Sequence, residues 1–167
     1  VCRELSCPVI VKEVGCGISA QVAQKLVDAG VACIDVAGAG GTVWSEVEAL
    51  CLETETARNI ARAFSSWGIP VADSIRMAAG VAGSLPIIGS GGIRTGIEAA
   101  KAIALGATAV GVAAPVLRPA TISSEAVVNA LTELREELRL SLFCLGMSRV
   151  GELRGSPLLV AKTSICD

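Results

Sequence analysis

Apolar residues in this chain fall into short continuous runs separated by stretches of helical spacing. Pro8 to Val14 (PVIVKEV) is apolar until it turns polar near its end and predicts a buried strand. Gly15-Cys16-Gly17 breaks it. Ser19 is placed to cap a helix running to about Ala29, with Val22, Ala23, Leu26 and Val27 on one face and Gly30 to end it. Val31 to Val36 (VACIDV) predicts a second strand, which runs into the small-residue loop Ala37 to Thr42. Pro86 to Gly89 predicts a third strand, Ser90 to Gly96 a Gly-rich turn, and Ile97 to Leu105 a helix ended by Gly106. Ala109 to Val112 predicts a fourth strand, followed by Ala113-Ala114-Pro115. Residues 8–36 and 86–112 therefore share one pattern of strand, Gly turn, helix, Gly and strand, as a duplicated βαβ unit would. Between them the sequence predicts a polar helix from about Glu53 to Trp67, an extended piece over Ile69 to Ala72, and an Ala-rich helix around Asp73 to Ala82. A helical tail spans about 123–152. Within it Val127, Val128, Leu131, Leu134, Leu138 and Leu142 form one apolar face, and Pro157 marks a loose C-terminus.

Strands alternating with helices, and buried on both faces, imply a parallel α/β sheet. Four strands joined by right-handed crossovers make either a small open sheet or half of a (β/α)₈ barrel, since a full barrel needs roughly 250 residues. The 167 residues are expected to form a single domain. The chain opens on Val1-Cys2-Arg3-Glu4-Leu5 with no initiator Met and no signal-peptide core, so it is expected to begin inside a longer protein.

Composition narrows the partners. A hydrophobic fraction of 52% is ample for a core, while a net charge of −2, no basic run and only 2% aromatic residues argue against nucleic acid or an anionic membrane. No uninterrupted apolar stretch is long enough to span a bilayer. Cys2, Cys7, Cys16, Cys33, Cys51, Cys144 and Cys166 include no CxxC pair, and the chain has no histidine to complete a mixed zinc site. They are expected to be reduced thiols of a cytoplasmic protein, Cys33 a buried one, and no metal ligands are assigned.

In parallel α/β folds ligands sit beyond the C-terminal ends of the strands. The first strand delivers Lys12 and Glu13 there, the second Asp35 and then Thr42, the third Ser90-Gly91-Gly92-Ile93-Arg94, and the fourth Ala113 and Ala114. Glycines let backbone approach an anion and aim N–H groups at it, and the next helix adds its dipole. The third and fourth strand ends together therefore predict a phosphate site; the plainer reading is that Gly91 and Gly92 only permit a tight turn. Lys12 could hold an anionic ligand or pair with Glu13 or Asp35. Asp35 is read as accepting N–H groups of the loop after it, in preference to acting as a base. Thr42 could bind phosphate or cap the next helix. Trp44 and Trp67 are read as core or lid-packing residues, and Glu46, Glu48, Glu53 and Glu55 as a solvated helix face.

The strings PVIVKEVG (8–15), IDVAGAGGT (34–42), SGGIRTG (90–96) and KAIALGA (101–107), with Trp67-Gly68-Ile69-Pro70 and Phe143-Cys144, resemble type 2 isopentenyl-diphosphate isomerases over about residues 8–160. The GGIR loop alone is shared with FMN-dependent hydroxy-acid oxidases; its combination with VKEVG and GAGGT is more specific. The resemblance implies an FMN-dependent barrel whose fifth to eighth strands are those found here. It implies interconversion of isopentenyl and dimethylallyl diphosphate with reduced FMN and Mg²⁺, NADPH supplying electrons to the flavin, and a homo-oligomer when full length. By resemblance Lys12 meets the flavin ring edge and Thr42 the phosphate region. Gly91, Gly92, Ile93 and Arg94, with Ala113 and Ala114, close round the phosphate through backbone N–H groups. Cys16, Ala37 and Val71 depart from the family; Ala37 stands where many members carry a flavin-touching hydroxyl. The family's diphosphate-binding, metal-binding and His-Leu-Asn residues belong to the first four strands, so no catalytic residue is assigned in this chain, which is expected to be inactive alone. The rival expectations are a related FMN oxidoreductase, which characteristically carries a catalytic histidine near the sixth strand, and a non-catalytic flavin- or phosphate-binding half barrel.

Overall fold

The computed structural model describes residues 1–2 and 4–160. Cys166 and Arg3 lie outside the described residues. Four strands, β1 (Ile10–Lys12), β2 (Cys33–Asp35), β3 (Ile87–Ser90) and β4 (Ala109–Gly111), form one sheet in chain order. All three pairings are parallel, with Val11 opposite Ile34, Asp35 opposite Ile88 and Ser90 opposite Gly111. This is the expected half barrel.

The local signals act as anticipated in both βαβ units. In the first, α1 (Ala20–Asp28) starts where the Ser19 hydroxyl accepts the Val22 N–H at 3.3 Å, and it stops before Gly30, whose φ of +80° suits glycine. In the second, α5 (Gly96–Ala104) opens on a capping box, Thr95 accepting from the Glu98 N–H while the Glu98 carboxylate accepts from Thr95. Ile34, Val36 and Ile87 are buried under a helical layer that contributes Ala23, Ile75, Ala78, Ala99 and Ala102. Small residues on the helices let them lie close to the sheet.

Four expectations need correction. The polar helix expected over Glu53 to Trp67 is α3 (Glu55–Arg62), which Thr54 starts by accepting the Ala57 N–H at 3.2 Å and which ends short of Trp67, and a further helix, α2 (Trp44–Cys51), precedes it. The extended piece is cut short: Pro70 is the N-cap of α4 (Val71–Ala82), while Ile69 and Val71 exchange backbone bonds with Ala39 at 2.8 and 3.0 Å. Ala114 is the first residue of a short helix, α6 (Ala114–Ala120), with Pro115 in its first turn where a missing N–H costs nothing. Burial on both faces holds for β2, whose three residues are all buried, but not for the edges; Ile10 on β1 is 58% exposed.

The tail forms α7 (Ser124–Cys144), capped by Ser123, and then a 3₁₀ turn over Val150–Leu153. Its apolar stripe divides. Leu138 and Leu142 pack with Ala100 and Ile103 of α5, whereas Val128 and Leu131 are exposed. None of the described helices is long and apolar enough to cross a membrane.

Candidate functional site

Strand pleating puts alternate residues on opposite faces, and parallel register keeps partners on the same face. Lys12 and its partner Asp35 therefore share one face of the sheet, at the C-terminal ends of β1 and β2, with Ser90 and its partner Gly111 at the ends of β3 and β4. Beyond these ends lies a cavity of about 390 Å³. Lys12, Thr42, Gly91, Gly92, Ile93, Arg94, Ala113 and Ala114 all line it, so the fold brings together the eight residues expected to contact the flavin, and leaves Trp67 and the acidic stretch 46–55 outside.

Asp35 organises the floor. Only 7% exposed, it accepts the Ser90 hydroxyl and the Ala37 N–H, and its second oxygen lies 3.7 Å from the Lys12 ammonium. The Lys12 side chain also donates to the Glu13 carbonyl at 3.0 Å but stays 57% exposed, facing open space. Lys12 thus has both partners considered for it while its charge still reaches the cavity. Asp35 in turn accepts from the loop that follows it, as expected. Beside it the buried Cys33 thiol is pushed above its ordinary pKa, by desolvation first and by the Asp35 charge second.

The two glycine loops explain each other. Gly91 and Gly92 have φ of +113° and +81°, and a Cβ on either would strike the backbone carbonyl of Gly38 or Gly40. Gly38 is itself pressed against the Val71 backbone. These glycines are required by the close approach of the β2 and β3 loops, whatever the cavity binds. Ala37 takes a left-handed φ of +34°, which a carboxylate bond to its N–H helps to hold.

The supply of free donors differs from the sequence expectation at one point. The Arg94 N–H donates to Glu98 Oε2 at 2.7 Å, the Thr95 N–H to the same oxygen at 3.2 Å, and the Gly96 N–H to Glu137 Oε2. Protein carboxylates already occupy the start of α5, so neither the Arg94 N–H nor that helix end is available to a ligand. Arg94 lines the cavity, and its guanidinium makes no ion pair among the described residues. By contrast, the N–H groups of Gly92, Ile93 and Ala113 have no hydrogen-bond partner among the described residues. Thr42 does not cap the next helix, because Val43 holds the N-cap position of α2 without a side-chain bond, and the Thr42 hydroxyl is left unengaged among the described residues.

Three residues have positioning roles that the sequence did not assign to them. Glu13 Oε2 accepts the N–H groups of Gly15 and Cys16 at 2.6 Å each and of Gly17 at 3.1 Å, clamping the β1–α1 loop. Ser74, fully buried on α4, bonds both the N–H and the carbonyl of Ile18. Ser90 was noted only as part of the loop. The carboxylate of Glu13 just before Gly15-Cys16-Gly17 is a usable signal; the pairings of Ser74 with Ile18 and Ser90 with Asp35, 56 and 55 residues apart, are not. Neither tryptophan is in the core. Trp44 (56% exposed) lines the cavity and donates its indole N–H to the Val14 carbonyl at 2.6 Å. Trp67 (72% exposed) meets Phe64 edge to face. A second, apolar groove of about 450 Å³ between α5 and α7 shares no lining residue with the strand-end cavity. No cluster of His, Cys, Asp or Glu among the described residues could hold a metal.

Comparison with known proteins gives a consistent assignment. The FMN-dependent dehydrogenase profile matches residues 1–160. An isopentenyl-diphosphate delta-isomerase of Stutzerimonas stutzeri (strain A1501) is 54% identical over 155 residues, covering 93% of this chain and 45% of its own length. The enzyme of the same name from Synechococcus sp. is 52% identical over 144 residues, covering 86% of this chain and 41% of its own. A mandelate oxidase carrying a monooxide FMN adduct superposes with a TM-score of 0.65 at 26% identity, over 90% of this chain and 41% of that one. The chain spans less than half the length of the curated relatives it matches.

Proposed function

The chain belongs to the FMN-dependent dehydrogenase family, and from that premise we propose that it is the flavin-phosphate-holding half of an isomerase that interconverts isopentenyl and dimethylallyl diphosphate. The observation that carries the proposal is the set of donors at one cavity: the N–H groups of Gly92, Ile93 and Ala113 and the Thr42 hydroxyl, without partners among the described residues, and the exposed Lys12 ammonium. That donor set fits a flavin mononucleotide, which needs hydrogen-bond donors for its phosphate and a cation for its ring edge. The relatives' printed name supplies the reaction.

In this reading Gly92 and Ile93, next to Gly91, hold the FMN phosphate through the backbone, with Ala113 and Ala114 across from them and the Arg94 guanidinium and Thr42 hydroxyl at its margin. Uncapped N–H groups at a helix start suit an anion, and Ala114 opens α6. Lys12 sets a positive charge beside the ring edge, and Asp35 with Ser90 fixes where that charge stands. The reduced flavin, when bound, supplies the group that exchanges protons with the substrate's double bond. The Mg²⁺ and diphosphate contacts belong to the upstream half, NADPH reduces the flavin, and the whole protein works in the cytoplasm as a homo-oligomer. An oxidoreductase is less well supported, since the chain has no histidine. The test is a chimera joining this chain to the upstream half of the Stutzerimonas relative. With reduced FMN and Mg²⁺ it is expected to interconvert the two diphosphates. A folded, FMN-loaded chimera with no such activity would refute the proposal.

A further inference from the structure

The strand-end cavity contains a carboxylate where an anion is to bind. Among the described residues that line it, Lys12 and Arg94 are the cations and Asp35 is the one anion. A negative charge of its own does not help a site hold a phosphate. Burial sharpens the question, because at 7% exposure an ionised carboxylate gives up most of its hydration.

The hydrogen bonds of Asp35 do not account for its charge. The Ser90 hydroxyl and the Ala37 N–H both donate to Oδ1. The carbonyl oxygen of an asparagine, with the same shape and two lone pairs, would accept both. What the charge adds is felt through Oδ2, which stands 3.7 Å from the Lys12 ammonium. Lys12 does not depend on this pair alone for its place, since its ammonium also donates to the Glu13 carbonyl at 3.0 Å. The distinct effect of the Asp35 charge is therefore to offset part of the positive charge that Lys12 turns toward the cavity. The Ser90 hydroxyl spreads the carboxylate charge and moderates the offset. Water in an open cavity screens both charges, and a ring that displaces the water strengthens their effect on it.

We infer that Asp35 is a tuning residue that acts through Lys12: its charge lowers the reduction potential of a flavin held in this cavity, and Ser90 limits how far. The inference rests on the proposed reading of the cavity as a flavin site. Reduction adds negative charge to the flavin ring, so a full positive charge beside the ring favours the reduced form more than a partly offset one does. By tempering Lys12, Asp35 also keeps the reduced ring a stronger base, which suits an isomerisation that moves protons and leaves the electron count unchanged.

The test is the reduction potential of FMN bound to the chimera proposed above, read against reference dyes. Asp35→Asn is expected to raise it by about 30 mV or more, which is about a tenfold gain in preference for reduced over oxidised FMN. Asp35→Ala removes the same charge without introducing an amide and is expected to move the potential the same way, which serves where the Asn variant does not fold. Ser90→Ala keeps the charge, removes its hydroxyl partner and is expected to lower the potential. If Asp35 and Ser90 only held Lys12 in place, all three changes would let the cation drift and would lower the potential. With FMN bound, a fall or no change in an Asp35 variant, or a rise in Ser90→Ala, would overturn the inference and leave the flavin site standing. A folded chimera that takes up no FMN would overturn the reading beneath it, and the inference with it.

Discussion

Asp35 is the one buried carboxylate among the described residues, and it has three partners: the Ser90 hydroxyl, the Ala37 N–H and the Lys12 ammonium. Ser90→Ala removes a donor from a carboxylate that has little water to replace it. It is expected to lower the unfolding free energy by about 1–3 kcal/mol in urea denaturation. The double variant with Asp35→Asn should lose less than the sum of the single changes, because the two residues form one unit. Cys33 makes a second residue-scale prediction. Its thiol is raised in the folded state by burial and by Asp35, so above the ordinary thiol pKa of about 8.5 the unfolded chain releases a proton that the folded chain retains. Stability therefore falls as pH rises through that range. Urea midpoints measured from pH 7 to 10 should show the fall, and Cys33→Ala should flatten it; an unchanged slope would contradict the assignment. Lys12, Asp35 and the glycine loop were all legible as strand-end residues. Ser90 as the third member of the group was not, because only the β2–β3 register brings it to Asp35.

At the scale of elements, caps and glycines set most boundaries, which is why α1, α5 and α7 start where Ser19, Thr95 and Ser123 place them. The helix α2 does not follow from the sequence, because Trp44 to Cys51 mixes acidic and apolar residues and Val43 offers no side-chain cap to mark its start. The start of α3 is set by Thr54, a cap whose role shows only with its partner Ala57. Gly96 shows a different limit. It reads as a turn glycine, yet a Cβ there would strike the backbone of α7 at Leu134 and Leu138, where α5 and α7 cross. Gly96→Ala is expected to cost about 1–3 kcal/mol by overpacking this crossing, measured as a lower urea midpoint with the near-ultraviolet signal unchanged in shape. A neutral substitution would mean that the crossing yields easily.

For the whole molecule, strand order and direction followed from the sequence, because two Gly-punctuated βαβ units with right-handed crossovers leave few arrangements. The division of donors at the cavity did not follow from it. The sequence placed a helix dipole and the Arg94 N–H behind the phosphate, whereas Glu98 and Glu137 occupy that helix start and leave the grip to Gly92, Ile93 and the β4 end. The central claim is that this cavity holds the phosphate of a flavin, and comparing FMN with riboflavin in the chimera tests it most directly. Two charge-assisted hydrogen bonds to phosphate contribute about 3 kcal/mol or more, so FMN is predicted to bind at least about 100-fold more tightly than riboflavin. Equal affinity for the two would contradict the claim.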